Sequence, residues 1–199
     1  ARIDRKRKLP ATIILRAMGL TVEEILERFY KFETIRFDSK SKTVVSTKFF
    51  KSIDPEILDG QRAVDDIVDP KSGEVIVKKN RKFTKAVIRK IKEAKIKEVD
   101  VEFDAVVGRV AAKDVIDSGT GEVIIEANDE ITESHIEELV TRGMESIDVI
   151  YTDNLSYGPF IRDTLIADKV NSPEEALIEI YKRLRPGDPP TVEAAKLLF

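Results

Sequence analysis

The densest cluster of cations lies at the start of the chain. Residues 2–8 read RIDRKRK, so that five cations surround a single acid, Asp4, before Pro10 and an apolar run follow. Guanidinium and ammonium groups bind phosphate oxygens, and each phosphate they neutralise releases condensed counterions. A charge run of this kind is also typical of a solvated helix end. The spacing therefore leaves two interpretations open, a phosphate-binding run or a solvated surface.

Other reactive chemistry is scarce in this sequence. The 199 residues contain no cysteine and one histidine, His135, which excludes thiolate chemistry and histidine-based metal sites. There is no Gly-x-Ser-x-Gly, P-loop or His-Glu-x-x-His motif, and the loop DVIDSGTGE at 114–122 lacks the aspartate alternation of a calcium site. We therefore predict no catalytic residue, no metal site and no cofactor in this chain, and a partly buried structural role for His135.

The composition sets further limits on function. Charged residues make up 36% of the chain, yet its net charge is −3, which excludes a globally basic nucleic-acid binder but not a local basic patch. No apolar stretch reaches the length of a membrane span, so a soluble, cytoplasmic protein is the expectation. The apolar face of the last predicted helix continues up to Phe199, which indicates a piece of something longer.

An internal repeat dominates the middle of the chain. Residues 66–101 and 114–149 align at an offset of 48 without a gap, and 11 of 36 positions are identical. Each segment predicts a strand, a turn containing Gly73 or Gly121, a second strand, a short helix with a threonine cap, and a last strand. The first segment carries a net charge of +5 and the second −10. We interpret the repeat as a tandem duplication of one β module whose two copies present opposite charge.

The flanks of this region predict helices. The start of the chain suggests two helices, the first ending at Gly19 and the second beginning with the capping box Thr21–Glu24. Towards the other end, Ser172 as a cap and Pro173 behind it predict the start of a further helix. A proline-rich turn and one more helix follow.

The predicted fold class is α+β. Two helical segments, residues 1–32 and 156–199, form one discontinuous helical body, and residues 33–155 form an inserted β-rich domain. The duplicated units within the insertion span about 58–101 and 106–149.

Several stretches resemble one protein family. The sequences RIDRKRKLPATIILRAMG (2–19), YGPFIRDTL (157–165) and ALIEIYKRLRPGDPPTVEAAKLLF (176–199), in this order, are similar to part of the lobe domain of the β subunit of bacterial multisubunit DNA-directed RNA polymerases. The middle is similar to the lineage-specific insertion in the lobe of many β subunits. The resemblance covers the whole chain and implies a β-subunit fragment with two lobe halves and an insertion.

The resemblance implies a role for the basic run. In this family the lobe forms one wall of the cleft that holds downstream duplex DNA, and the non-template strand passes nearby. The family's DNA-facing Asp-Arg-Arg motif is matched here by Asp4, Arg5 and Lys6, and Lys6 keeps the charge but lacks the two-pronged geometry of arginine. Together with Arg2 and Arg7, these are the DNA-binding residues that we predict.

The resemblance also implies partners and a division of labour. The implied protein partners are the β′, α and σ subunits, the implied ligand is downstream and non-template DNA, and transcription regulators are further candidates on the insertion. The family's magnesium-binding catalytic aspartates lie in the other large subunit, so this fragment of a nucleotidyltransferase is expected to carry no catalytic residue. Ile166 stands where many relatives have arginine, which argues against a DNA contact there. The alternative is an interaction module whose insertion docks regulators without any DNA contact.

Overall fold

A computed structural model of the chain describes residues 8–39, 43–53, 55, 58–60, 62–63, 66–69, 71–152 and 157–198. The described residues form two compact units. The helical unit comprises those within Ala1–Phe29 and Pro159–Phe199, and the inserted unit comprises those within Tyr30–Gly158. That residues 1–32 with 156–199, and residues 33–155, are separate folding domains stays a prediction.

The described part of the chain contains eight helices and eight strands, besides a 3-10 turn at Val44–Ser46. The helices are α1 (Thr12–Ala17), α2 (Val22–Phe29), α3 (Lys85–Glu93), α4 (Phe103–Val106), α5 (Glu133–Arg142), α6 (Phe160–Ala167), α7 (Pro173–Leu184) and α8 (Val192–Leu198). The strands are β1 (Phe32–Ser39), β2 (Thr47–Ser52), β3 (Ile67–Val68), β4 (Val75–Val77), β5 (Glu98–Val101), β6 (Val115–Ile116), β7 (Val123–Ile125) and β8 (Ser146–Ile150). The named strands pair antiparallel, and the predicted α+β class is confirmed. Among these helices, none has both the length and the apolar character needed to cross a bilayer.

Local capping signals set the helix boundaries in the helical unit. At the start of α2, the Thr21 N–H donates to Glu24 Oε2 at 2.9 Å and the Glu24 N–H donates to Thr21 Oγ1 at 3.2 Å, which is the predicted capping box. Ser172 caps α7 by accepting from the N–H of Glu175 at 3.2 Å, and Pro173 takes the first helical position. These side chains satisfy amide groups that the start of a helix leaves without partners.

Two apolar clusters hold the helices of this unit together. The buried residues of the first cluster, which joins α1 to α7, are Leu9, Ile13, Val170, Ala176 and Ile180. The buried residues of the second, which joins α7 to α8, are Leu177, Tyr181 and Ala195. Burying one large aliphatic side chain contributes about 1.5–3 kcal/mol. Because α7 contributes residues to both clusters, it is the central helix of the unit.

The core of the inserted unit is built on a four-stranded antiparallel sheet in the order β5–β2–β1–β8. Ile35 of β1 lies opposite Lys51 of β2 on one side and opposite Ile147 of β8 on the other. Alternation along β1 places Ile35 and Phe37 on the same face, where the ring of Phe37 meets that of Phe49 edge-on with centroids 5.6 Å apart. This face forms one apolar cluster with residues of α5.

Two segments of the inserted unit have similar local structure at an offset of 48 residues. The hairpins β3–β4 and β6–β7 have a register shift at the corresponding position, and the helices that follow, α3 and α5, are capped by Thr84 and Thr132. Gly73 and Gly121 adopt φ of +71° and +74°, and each N–H donates to the carbonyl four residues earlier at 2.8 Å. The likeness is consistent with one module used twice, and the tandem duplication itself stays a prediction.

A buried ion network joins β1 to its surroundings. Glu33 Oε1 lies 3.7 Å from Lys51 Nζ, and Glu33 Oε2 lies 3.6 Å from Arg109 Nη1. The three side chains are no more than 15% exposed, and a charge buried to this extent costs several kcal/mol unless it is paired. Removing Glu33 would take from both cations the carboxylate that they share.

Valine in place of Gly73 or Gly121 is expected to lower the free energy of unfolding by more than about 1 kcal/mol, because a β-branched residue is strained at positive φ. A Cβ atom at either position would meet nothing within 4 Å beyond its chain neighbours, so the cost comes from the backbone alone. Urea unfolding measures this cost. Ser118→Ala, in the same turn as Gly121, is the control and should stay within about 0.5 kcal/mol of the unsubstituted chain. Glycine variants as stable as the control would contradict the prediction.

Candidate nucleic-acid interface

The basic run predicted to face DNA lies outside the described residues. Its members are Arg2, Asp4, Arg5, Lys6 and Arg7. Their contact with DNA stays a prediction. Lys8, the first described residue, is exposed, and its neighbour Leu9 is buried. The chain therefore passes from solvent into the core of the helical unit within two residues.

A buried carboxylate, Asp168, anchors the segment that follows Lys8. Its Oδ2 accepts a hydrogen bond from the Thr12 hydroxyl at 2.7 Å and lies 3.8 Å from Nε of Arg16. Its Oδ1 accepts from the N–H of Val170 at 3.4 Å. The Asp168 side chain is 1% exposed, and these partners offset the loss of hydration of its charge. Asp168 thus holds α1 to the loop between α6 and α7.

A groove of about 630 Å³ lies beside this anchor. Its cationic lining residues are Lys8, Lys169, Lys182 and Arg183. Asp168, Glu175 and Glu179 line it as well, and Glu179 Oε1 lies 2.7 Å from Lys182 Nζ. Because carboxylates nearly balance the cations, the groove by itself does not define a phosphate site.

Ile166 lies on α6 and is 61% exposed. Its side chain offers no hydrogen-bond donor to a phosphate oxygen. The exposed apolar group therefore gives no support to a DNA contact at the position where the family resemblance implies an arginine.

The two charge-rich segments of the inserted unit carry their charges at the surface. All eleven cations of residues 66–101 are exposed. Of the eleven acids of residues 114–149, eight are exposed and three are half-buried. The opposite net charges that the sequence indicates therefore lie where partners can reach them.

Arg142 is the one cation of residues 114–149, and it binds three carboxylates. Its Nη1 lies 2.6 Å from Asp117 Oδ2, and its Nη2 lies 2.9 Å from Glu122 Oε2 and 2.6 Å from Glu138 Oε1. The guanidinium, together with N–H groups of the Asp117 turn, holds the pKa of Asp117 below its usual value. The three carboxylates raise the pKa of Arg142 in return. Arg142 thus ties α5 to the β6–β7 turn.

The loop 114–122 uses its aspartates for its own structure. Asp117 Oδ1 accepts from the N–H of Gly119 at 2.7 Å, and Asp114 Oδ1 accepts from the N–H of Ala127 at 2.7 Å. In the part of the chain that the structure describes, no group of three or more histidine or acidic side chains is arranged to hold a metal ion.

His135 has the structural role that the sequence predicts. It is half-buried in the first turn of α5. Its Nδ1 accepts from the N–H of Thr132 at 3.3 Å, and its own N–H donates to Thr132 Oγ1 at 3.2 Å. The two bonds form a capping box in which histidine replaces the usual glutamate, so the predicted structural role is confirmed.

Comparison with known proteins shows relatives along the entire chain, although no protein-family model matches it. The relative from Geobacter sulfurreducens is 60% identical over 198 residues, that from Anaeromyxobacter dehalogenans 50% over 212, and that from Bdellovibrio bacteriovorus 50% over 198. Each alignment covers 100% of this chain and 14% of the relative. The chain therefore spans about one seventh of the length of the curated relatives it matches.

Identity at this level makes the chain a homologue of one segment within a much longer polypeptide. Each of these relatives is named DNA-directed RNA polymerase subunit beta, and the chain is homologous to a segment of that subunit. The resemblance to the β subunit is confirmed, and the assignment of the segment to the lobe domain with an insertion stays a prediction.

Two charged residues at the centre of the observed networks were missed by sequence reasoning. Asp168 pairs with Thr12, 156 positions away, so no local pattern indicates its burial. The sequence does contain a signal for Arg142, because it is the one cation in a segment with eleven acids and can pair with several of them.

Replacing Arg142 with alanine is expected to destabilise the inserted unit at neutral pH. The pKa of Asp117 is lowered in the folded state, so its pairing stabilises the fold above the unfolded pKa of about 3.9 and is lost as the pH falls through the folded value. The difference in free energy of unfolding between the unsubstituted chain and Arg142→Ala should therefore be largest near pH 7 and shrink below about pH 4. Urea unfolding across this pH range measures it.

The matched control is Arg89→Ala, which removes an exposed pair with Glu93 at 3.3 Å on α3. Pairs of this kind contribute little, so the control should unfold within about 0.5 kcal/mol of the unsubstituted chain. A pH-independent difference for Arg142→Ala would show that the three carboxylates are not its partners in solution.

Proposed function

We propose that this chain acts as part of an RNA polymerase β subunit, in which it forms part of the wall of the downstream-DNA cleft during synthesis of RNA on a DNA template. The observation that carries the proposal is the 60% identity to a β subunit over 198 residues, with 100% of the chain covered. The basic run RIDRKRK at the start of the chain supports a role in contacting DNA.

The proposed role is one of position and not of catalysis. Nucleotidyl transfer would belong to the assembled enzyme, together with the β′, α and σ subunits, and its magnesium would be held by another subunit. The enzyme would work in the bacterial cytoplasm, at the nucleoid. The chain itself supplies charge and shape.

The proposed DNA contact uses phosphates and reads no bases. Arg5 and Lys6 are its central cations, Arg2 and Arg7 flank them, and Asp4 belongs to the same motif. Each engaged phosphate makes the logarithm of affinity fall by about 0.9 per decade of salt. Two or three phosphates would give the isolated chain a dissociation constant near 10⁻⁴ M, roughly the weak limit of non-specific binding.

The structure of the following residues supports this proposal. Leu9 and Ile13 are buried in the cluster between α1 and α7, and Thr12 is bonded to Asp168. Lys8 therefore directly precedes a residue that is buried in the core of the helical unit. A basic run attached in this way costs less entropy to order on DNA than one at the end of a long flexible segment.

The test is Arg5→Ala with Lys6→Ala in a complete polymerase that contains this chain. The lifetime of the promoter open complex should shorten, and its salt dependence should weaken by about one to two phosphate equivalents. The matched control removes two exposed lysines from other elements, Lys48→Ala and Lys196→Ala, and should change neither quantity. An unchanged lifetime and salt slope in the first variant would mean that the run is only a solvated helix start.

A second candidate function is docking of transcription regulators by the inserted unit. The observation that favours it is the opposite charge of two segments with similar local structure, +5 in residues 66–101 and −10 in residues 114–149. Deleting Tyr30–Gly158 from the complete enzyme distinguishes the two functions. Loss of the response to a regulator, with open-complex lifetime unchanged, would favour docking.

A further inference from the structure

The connection between β4 and α3 carries the most concentrated positive charge in the described part of the chain. Residues 78–85, here called the basic loop, read KKNRKFTK. Its five cations, all exposed, are Lys78, Lys79, Arg81, Lys82 and Lys85. Its one apolar side chain, Phe83, is buried at 5% exposure.

The basic loop has a defined conformation. Asn80 turns the backbone at φ of +63°, its N–H donates to the Ala63 carbonyl at 2.7 Å, and its own carbonyl accepts from Arg62 Nη1 at 2.6 Å. The N–H of Lys79 donates to Asp66 Oδ1 at 2.6 Å. Arg62 also forms a β-bridge with Lys82, so a sixth cation lies against the loop. A loop fixed in this way loses little backbone entropy when it binds a ligand.

Four of the five cations of the basic loop make no ion pair with any described residue. Across the described residues, no carboxylate lies within 4.0 Å of the charged groups of Lys78, Arg81, Lys82 or Lys85. Asp66, the acid bonded to the loop, is bonded to the backbone of Lys79. Four exposed cations therefore remain available to an external anion.

The fold itself does not require these cations. The corresponding connection between β7 and α5 has the same turn, with Asn128 at φ of +79° and its N–H donating to the Ala111 carbonyl at 2.9 Å. At the offset of 48 residues, acids replace four of the five cations of the basic loop, and Ala127 replaces Lys79. The acids are Glu126, Asp129, Glu130 and Glu133. The same turn thus forms with cations in residues 78–85 and with acids in residues 126–133. Folding therefore does not explain why residues 78–85 are positively charged.

We propose that the basic loop is a second nucleic-acid contact, which binds the phosphodiester backbone independently of the run at residues 2–7. Phosphate contacts require cations and no apolar anchor, whereas protein interfaces draw much of their affinity from a few buried anchors, among which tryptophan and tyrosine are prominent. Within residues 78–85, all of which are described, no apolar or aromatic side chain is exposed. The ligand class is therefore a polyanionic backbone and not an acidic protein.

The test measures binding of the 199-residue chain to a fluorescent duplex DNA over a salt series. If the loop engages four phosphates, they contribute about 3.6 to the salt slope, which corresponds to roughly a hundred-fold loss of affinity between about 50 and 200 mM salt. The variant Lys78→Glu, Arg81→Asp, Lys82→Glu, Lys85→Glu takes its acids from residues 126–133. It should bind at least about tenfold more weakly at low salt and lose about 3.6 units of slope.

The matched control makes the same change of net charge on other elements, with Lys48→Glu, Lys71→Glu, Lys97→Glu and Lys196→Glu, all at exposed positions. It should retain the salt slope. Equal losses in the two variants would overturn the proposal, because net charge alone would then explain binding. Far-ultraviolet circular dichroism shows whether the acidic variant folds. If it does not, a neutral variant with glutamine at the same four loop positions replaces it in the comparison.

Two further arms identify the ligand and separate this contact from the one proposed above. A single-stranded RNA of equal length should also bind through the loop, with about 0.7 units of slope per phosphate, and the tighter of the two nucleic acids is the assigned ligand.

A polyglutamate peptide of equal charge that bound as well would overturn the proposal in favour of an acidic protein. The loop effect should persist when Arg5 and Lys6 are alanine, and its disappearance there would show that the loop is not an independent site.

Discussion

The pairing of β1 with β8 is the interaction on which the inserted unit depends. Phe32, the first residue of β1, lies opposite Ile150, the last of β8, and the N–H of Tyr151 donates to the carbonyl of Lys31 at 2.7 Å. The chain thus enters and leaves this unit through neighbouring residues, although almost all of its sequence lies between them. Close chain ends are what allows one unit to be inserted within the sequence of another.

The same sheet explains how one unit presents two different surfaces. β5 and β8, each of which follows one of the two similar hairpin–helix segments, occupy the outer positions of the sheet, and β1 and β2 lie between them. Inside, the equivalent positions Ile91 and Leu139 are both fully buried, so packing constrains the two segments alike. At the exposed positions packing sets no such constraint, and the net charge is +5 in residues 66–101 and −10 in residues 114–149.

Features that depend on neighbours in sequence could be predicted, and those that depend on distant partners could not. The capping box at Thr21 and the cap at Ser172 follow from side chains three residues from their partners. The partners of Asp168 and of Glu33 come from remote segments, and only the fold brings them together. For the candidate interface, the sequence indicates the basic run, whereas the ordered turn that holds the charges of residues 78–85 becomes visible only in the structure.

The central claim, that β1–β8 pairing closes the inserted unit, is tested most directly by amide hydrogen exchange on residues 30–158 produced alone. Exchange of a backbone amide in a folded unit requires local or global opening, so the best protected amides mark the elements whose opening requires global unfolding. If the pairing closes the unit, it should unfold in one cooperative transition, and exchange should be slowest at the paired amides of β1 and β8, including those of Ile35 and Ile147. Rapid exchange in both strands while the two hairpin–helix segments stay protected would contradict it.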